Sequence, residues 1–166
     1  MNSKNRNYHW IEKSLLLALF SLLLMGMMIP SNVITVHYAE QQCKLSGDQF
    51  SLSWIHSVDK TPWIEHYQLT PSGLLLTETL FKTFGAGVPH DGEVLPSQDG
   101  MIHYRINQPV NAINWIVDRD VRSSIIHKTG ENFPIYQYVD RYATVEIQPQ
   151  KINLWQLLSI RKCHEP

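Results

Sequence analysis

Hydrophobic residues follow two regimes along this chain. From Leu15 to Ile29 the sequence is apolar except at Ser21 and Gly26, and after Pro30-Ser31-Asn32 the apolar character resumes at Val33, Ile34 and Val36. Taken as one helix from Leu15 to Val36, rising about 1.5 Å per residue, this segment is on the order of 33 Å long, enough to cross a bilayer core. Pro30 near its far end is tolerated in such a span. Beyond His37 the pattern becomes short runs with a period of two, separated by turn residues, as expected of strands that bury one face.

Gln49 to Ser57 sets Phe50, Leu52, Trp54 and His56 on one face and Ser51, Ser53, Ile55 and Ser57 on the other. Pro62 interrupts, Trp63 to Thr70 resumes an extended pattern, and Pro71-Ser72-Gly73 reads as a tight turn closing a hairpin. The longest strand, Leu74 to Phe84, places Thr77, Thr79, Phe81 and Thr83 opposite Leu76, Glu78, Leu80 and Lys82. Gly85 to Gly100 is rich in Gly, Pro and Asp and reads as loop. Shorter strands are predicted at Met101 to Ile106, Ala112 to Val117, Ser124 to Ile126, Ile135 to Tyr138 and Tyr142 to Ile147. Only Asn153 to Lys162 has helical spacing, with Asn153 as its cap. The fold class is therefore mostly β: a single antiparallel β-sandwich or partly open barrel with a short C-terminal helix, preceded by one N-terminal transmembrane helix. The corresponding segments are a cytoplasmic N-terminus at 1–14, an anchor at 15–36 and a periplasmic β domain at 37–166. No internal repeat or low-complexity segment is present.

The flanks of the apolar run orient it. Lys4, Arg6 and Lys13 precede it against Glu12 alone, so the positive-inside rule puts the N-terminus in the cytoplasm and the domain outside, in the periplasm of a bacterium with two membranes. Neither Ala39 nor Ser31 has a small residue two positions before it, which favours an uncleaved anchor over a cleaved signal. The chain carries 14 Lys and Arg against 15 Asp and Glu. With no run of basic residues, nucleic-acid binding is set aside. Cys43 and Cys163 lie at the two ends of the exported domain, and an even pair in an oxidising compartment is expected to be bridged.

Candidate chemistry is densest in Trp54-Ile55-His56-Ser57-Val58-Asp59-Lys60-Thr61-Pro62-Trp63-Ile64-Glu65-His66-Tyr67. With a hairpin turn centred near Lys60 and Thr61, His56 and Glu65 become cross-strand partners, the carboxylate favouring the charged imidazole and fixing its ring. That pair reads as a polar recognition site, as an acid–base pair, or as a structural link closing a hairpin. Ser57 points to the opposite face from His56 and no nucleophile elbow is present, which argues against a serine hydrolase. His56, His66, His90, Asp91 and His103 lack paired metal-ligand spacing, so neither a metal nor a cofactor is expected. Gly85-Ala86-Gly87 reads as a backbone nest for an anion or as a bulge ending its strand. Trp54, Trp63, Trp115 and Trp155 read as core area or as stacking surfaces.

The anchor, the strand into Trp54-Ile55-His56-Ser57-Val58, Pro62 and Glu65, Thr77-Glu78-Thr79, and Phe84-Gly85-Ala86-Gly87 with Pro89 resemble the family called domain of unknown function 1850. That resemblance implies a small bacterial membrane-anchored protein encoded beside tripartite ATP-independent periplasmic transporters that use a TAXI solute-binding protein. The expectation is a single-pass inner-membrane protein acting as an accessory or partner-binding component, its partners the transporter's membrane subunit or solute-binding protein. His56, Ser57, Glu65, Glu78 and Gly85, Ala86 and Gly87 would form the recognition surface. The alternatives are a periplasmic enzyme using His56 and Glu65, or a purely structural anchor domain.

Overall fold

A computed structural model describes residues 3–85, 87, 88 and 91–163, and the side chains of all of these except 3–9 and 11. The chain divides into two units, Met1–Ser31 with Lys151–Ser159, and Asn32–Gln150 with Ile160–Pro166.

The first unit contains helix α1 (Ser3–Met27) and helix α2 (Leu154–Ser159). Leu15, Leu16, Leu17, Leu19, Leu22 and Leu23 are all well exposed, so apolar side chains face outward around the whole circumference of α1. The helix stops earlier than the sequence pattern predicts. Met28 N–H donates to Met25 O at 3.1 Å, tightening the last turn, and Pro30 has no N–H with which to continue. Residues 30–38 are strand β1 (Pro30–Tyr38), which corrects the expected helical continuation to Val36. The β-branched run Val33-Ile34-Thr35-Val36 suits a pleated surface, and Ile34, Thr35 and Val36 are fully buried there. Among the described residues no helix is long and apolar enough to cross a membrane. Helix α2 is also shorter than the predicted 153–162 segment. Its first turn is closed by Gln156, whose Oε1 accepts the N–H of Asn153 at 2.9 Å.

Two antiparallel sheets make up the β structure. One has the order β2 (Gln41–Lys44), β1, β11 (Thr144–Asn153), β8 (Ile113–Ile116). The other runs β10 (Asn132–Phe133), β9 (Ser124–His127), β3 (Gln49–Ile55), β4 (Pro62–Thr70), β5 (Gly73–Phe81), β7 (Ile102–Val110), β6 (Glu93–Leu95). Ile34, Val36, Val145 and Ile147 from the first sheet and Phe50, Leu52, Tyr67, Leu74, Leu76 and Ile125 from the second form one core cluster. The sandwich reading of the sequence therefore holds, and the barrel alternative is replaced by two separate sheets. Two local readings are corrected. Ile135–Gln137 is a 3₁₀ turn, started where Pro134 takes φ of −75°, and β6 forms inside the predicted 85–100 loop because its backbone finds an open edge on β7.

Cys43 and Cys163 form a disulfide with Cα atoms 4.9 Å apart, and both are buried. Flanking backbone bonds reinforce it: Lys44 N–H donates to Arg161 O and Cys163 N–H to Lys44 O, each at 2.9 Å.

Candidate functional site

The β3–β4 hairpin decides which polar groups meet. Trp54 pairs with Trp63, Leu52 with Glu65 and Ile55 with Pro62. The turn therefore centres between Val58 and Asp59, closed by bonds from His56 N–H to Thr61 O and from Lys60 N–H to His56 O. This corrects the expected His56–Glu65 pair. Lys60 takes φ of +54°, which lets the turn close two residues earlier than a turn centred on Lys60 and Thr61. His56 instead stacks on the Trp63 ring at 5.3 Å and lies 3.1 Å from Asp59 Oδ2, so Trp63 stands between it and Glu65.

Glu65 faces the inside of the sandwich. Tyr67 Oη donates to its Oε2 at 2.7 Å. Burial pushes the Glu65 carboxyl above its ordinary range, partly offset by Tyr67 and Trp63, while burial and the nearby Glu65 charge push the Tyr67 hydroxyl up. Trp63 Nε1 and Thr79 Oγ1 are buried with no hydrogen-bond partner among the described residues. The Trp63 indole thus influences Glu65 electrostatically without reaching hydrogen-bond geometry. Thr79, Glu65 and Leu52 form one row across three strands, so the two polar side chains Thr79 and Glu65 stand next to Leu52 of the main core.

Glu78 lies on the opposite, outward face, and a β-bulge puts it there. Tyr67 pairs with Leu76 but His66 with Glu78, leaving Thr77 as the extra residue. Its Oγ1 donates to His66 O at 3.0 Å. A bulge shifts strand alternation by one. Leu76 therefore faces the core, Glu78 faces outward, and Thr79 and Phe81 face inward again. The simple alternation read from the sequence, which grouped Glu78 with Leu76, fails at this residue.

Outward-facing polar groups then meet across the sheet. Ser51 Oγ and His66 Nδ1 are 2.6 Å apart. His103 Nδ1 lies 2.7 Å from Glu78 Oε1 and its Nε2 2.9 Å from Asp99 Oδ2. Asp99 is also held by Ser97 Oγ and by the N–H of Met101. Ser97, His103 and the Met101 amide keep the Asp99 carboxyl far below its ordinary range. The hydrogen bond to Asp99 does most to raise the His103 imidazole; desolvation opposes it, and Glu78 adds to the rise. His66 is lowered chiefly by burial, with Glu78 opposing. Beside this row lies a trough of about 350 Å³ lined by Gln49, Ser51, His66, Gln68, Glu78 and Lys128, among others.

Ser57 is exposed in the hairpin turn. Gly85 lies beside the same turn, at Asp59: a Cβ on Gly85 would stand 3.6 Å from Asp59 Oδ2. Gly87 takes φ of +89°, and Val88 N–H donates back to Gly85 O at 3.4 Å, so the segment turns on itself. Ala86 lies outside the described residues. Of the residues singled out from sequence, His56, Ser57 and Gly85 come together at the hairpin end, whereas Glu65 is inside and Glu78 outside. Ser51, His66, His103 and Asp99 escaped the sequence reading as a group. Alternation alone turns Ser51 outward, but joining it to His66 and Glu78 requires the register and the bulge. Among the described residues no three His, Cys, Asp or Glu side chains are grouped to hold a metal.

Fold and site together define a disulfide-linked, two-sheet β domain with a polar outward trough and an aromatic hairpin end. The family model of DUF1850, a domain of unknown function, matches residues 50–134, and the chain belongs to that family. No curated protein matches the chain. No solved structure matches it either.

Proposed function

We propose that this protein is a membrane-tethered, extracytoplasmic binding module that serves a solute transporter as an accessory component. The observation that supports the tether is the exposure of apolar side chains around all of α1, from Leu15 at 59% to Met25 at 69%. A helix without a polar face is suited to a lipid surrounding. Residues 15–27 supply about 20 Å of apolar helix against a hydrocarbon core of about 30 Å. The tether therefore involves local bilayer thinning and snorkelling of Lys13. The disulfide supports an oxidising compartment, and Lys4 and Arg6 before the helix support an N-terminus in the cytoplasm.

The partner surface in this reading is the hairpin end, where Val58 is 73% and Phe84 59% exposed beside His56, Ser57, Asp59 and Gly85. Phe84 packs edge-on against Phe81, which stacks on Trp63, so the exposed ring is backed by a fixed aromatic column. Rigid aromatic anchors of this kind contribute disproportionately to recognition. The transporter assignment rests on the family resemblance. The acid–base enzyme reading loses its basis because His56 and Glu65 stand on either side of Trp63.

The test is in cells. The protein should resist alkaline carbonate extraction, be cleaved by protease added to spheroplasts, and recover a transporter membrane subunit or solute-binding protein after crosslinking. Release by carbonate would sink the tether. Loss of no uptake on deletion, together with no recovered subunit, would sink the transporter role.

A further inference from the structure

The outward trough is separate from the hairpin end, and its chemistry stands independently of the tether. One feature of it is unusual: both nitrogens of His103 face carboxylates, at 2.7 Å to Glu78 and 2.9 Å to Asp99. Only the imidazolium has two N–H groups to give, so this geometry holds a proton. The two carboxylates are not equivalent. Asp99 keeps two further donors, Ser97 Oγ and the Met101 amide, whereas no donor among the described residues holds Glu78 Oε2. A cation seated at Glu78 competes with the imidazolium there, and His103 can then give up its Nδ1 proton while its Nε2 N–H stays on Asp99.

Neighbouring protein cations do not supply one. Arg105, the register partner of Glu78 on β7, is committed to Glu93 at 2.9 Å, and Lys82 to Gly100 O at 2.9 Å. His66, opposite Glu78 on β4, is held toward the neutral form by burial. Lys128 pairs with Asp48 at the far side of the trough. Glu78 lines the 350 Å³ space directly, and so do Gln49 and Gln68, register partners next to the Ser51–His66 pair. With the Ser51 hydroxyl donating to Nδ1, neutral His66 keeps an N–H on Nε2 for an acceptor.

We propose that this trough binds a small primary amine bearing hydroxyl or carbonyl oxygens, Glu78 seating the ammonium in exchange for the proton of His103. The ammonium replaces the imidazolium beside Glu78, the oxygen atoms of the ligand take N–H groups from His66 and the glutamine amides, and the His103 proton goes to water. Charge at Glu78 is conserved in the exchange. Affinity then rises with pH, up to tenfold per unit for one proton released.

Isothermal titration of the full-length protein in mild detergent with ethanolamine and with N-acetylethanolamine, at about pH 6 and about pH 8, tests the exchange. Ethanolamine binds more tightly at the higher pH, and the uncharged N-acetyl form does not bind. Glu78→Gln weakens ethanolamine at least tenfold, and His103→Asn leaves binding that no longer changes with pH. If Glu78→Gln fails to fold, the wild-type and His103→Asn pH series decide alone. Equal binding of the two ligands, a wild-type affinity independent of pH, or no ethanolamine binding at ~50 mM overturns the proposal.

Discussion

Removing the disulfide with Cys43→Ala and Cys163→Ala together perturbs the denatured state more than the folded one. The bridge closes a sequence separation of 120. Loop-closure entropy for that length is worth about 5 kcal/mol near room temperature. The folded state loses little besides the bond, because alanine fills much of the buried site and the Lys44–Arg161 and Cys163–Lys44 backbone bonds keep the tail on the sheet. A total stability of about 5 to 15 kcal/mol leaves the double variant marginal, its melting temperature lower by roughly 15 to 20 °C. Urea unfolding of the full chain in mild detergent, followed by tryptophan fluorescence, measures this directly. Trp54, Trp63 and Trp115 form one cluster in the domain and report its opening. A loss below about 1 kcal/mol at unchanged urea dependence would refute the argument, since it would mean that the free ends are already close in the unfolded chain.

Three further outcomes are expected. Glu65→Gln raises stability at neutral pH: burial lifts the carboxyl's folded pKa above its ordinary 4.5, so wild-type stability falls as pH climbs through the folded value, and the variant, which can still accept from Tyr67 Oη, shows no such fall in urea midpoints. Gly92→Ala costs about 1 to 3 kcal/mol by thermal melting, because its Cβ would stand 2.2 Å from the Tyr104 ring and 2.6 Å from Arg105 O. His103, raised by Asp99 and Glu78, contributes stability that is full below its ordinary 6.5 and lost as pH rises through the folded value. His66 slopes the other way, so the wild-type minus His103→Asn difference, measured from about pH 5.5 to 8.5, isolates the effect.

Much of the fold was legible because burial imposes a period of two. The alternation of Phe50, Leu52 and Trp54 corresponds to an inner face packed in the core, and Pro71-Ser72-Gly73 corresponds to the turn between β4 and β5. Errors fell where a local conformation overrode the period. The apolar stretch from Val33 to Val36 is compatible with helix or strand, and burial in the sandwich selects strand. The His56–Glu65 pairing depended on a turn centre that the positive φ of Lys60 moves.

The sequence by itself determined the β class, the apolar helix, the cysteine pair and the family, all set by composition, periodicity and local motif. Only the tertiary structure decided which polar groups meet. One extra residue at Thr77 turns Glu78 away from the core and toward His66 and His103, while Glu65, two strand positions from Trp63, is carried inside. Strand register is a property of whole sheets, and a single bulge reverses the faces of every residue beyond it.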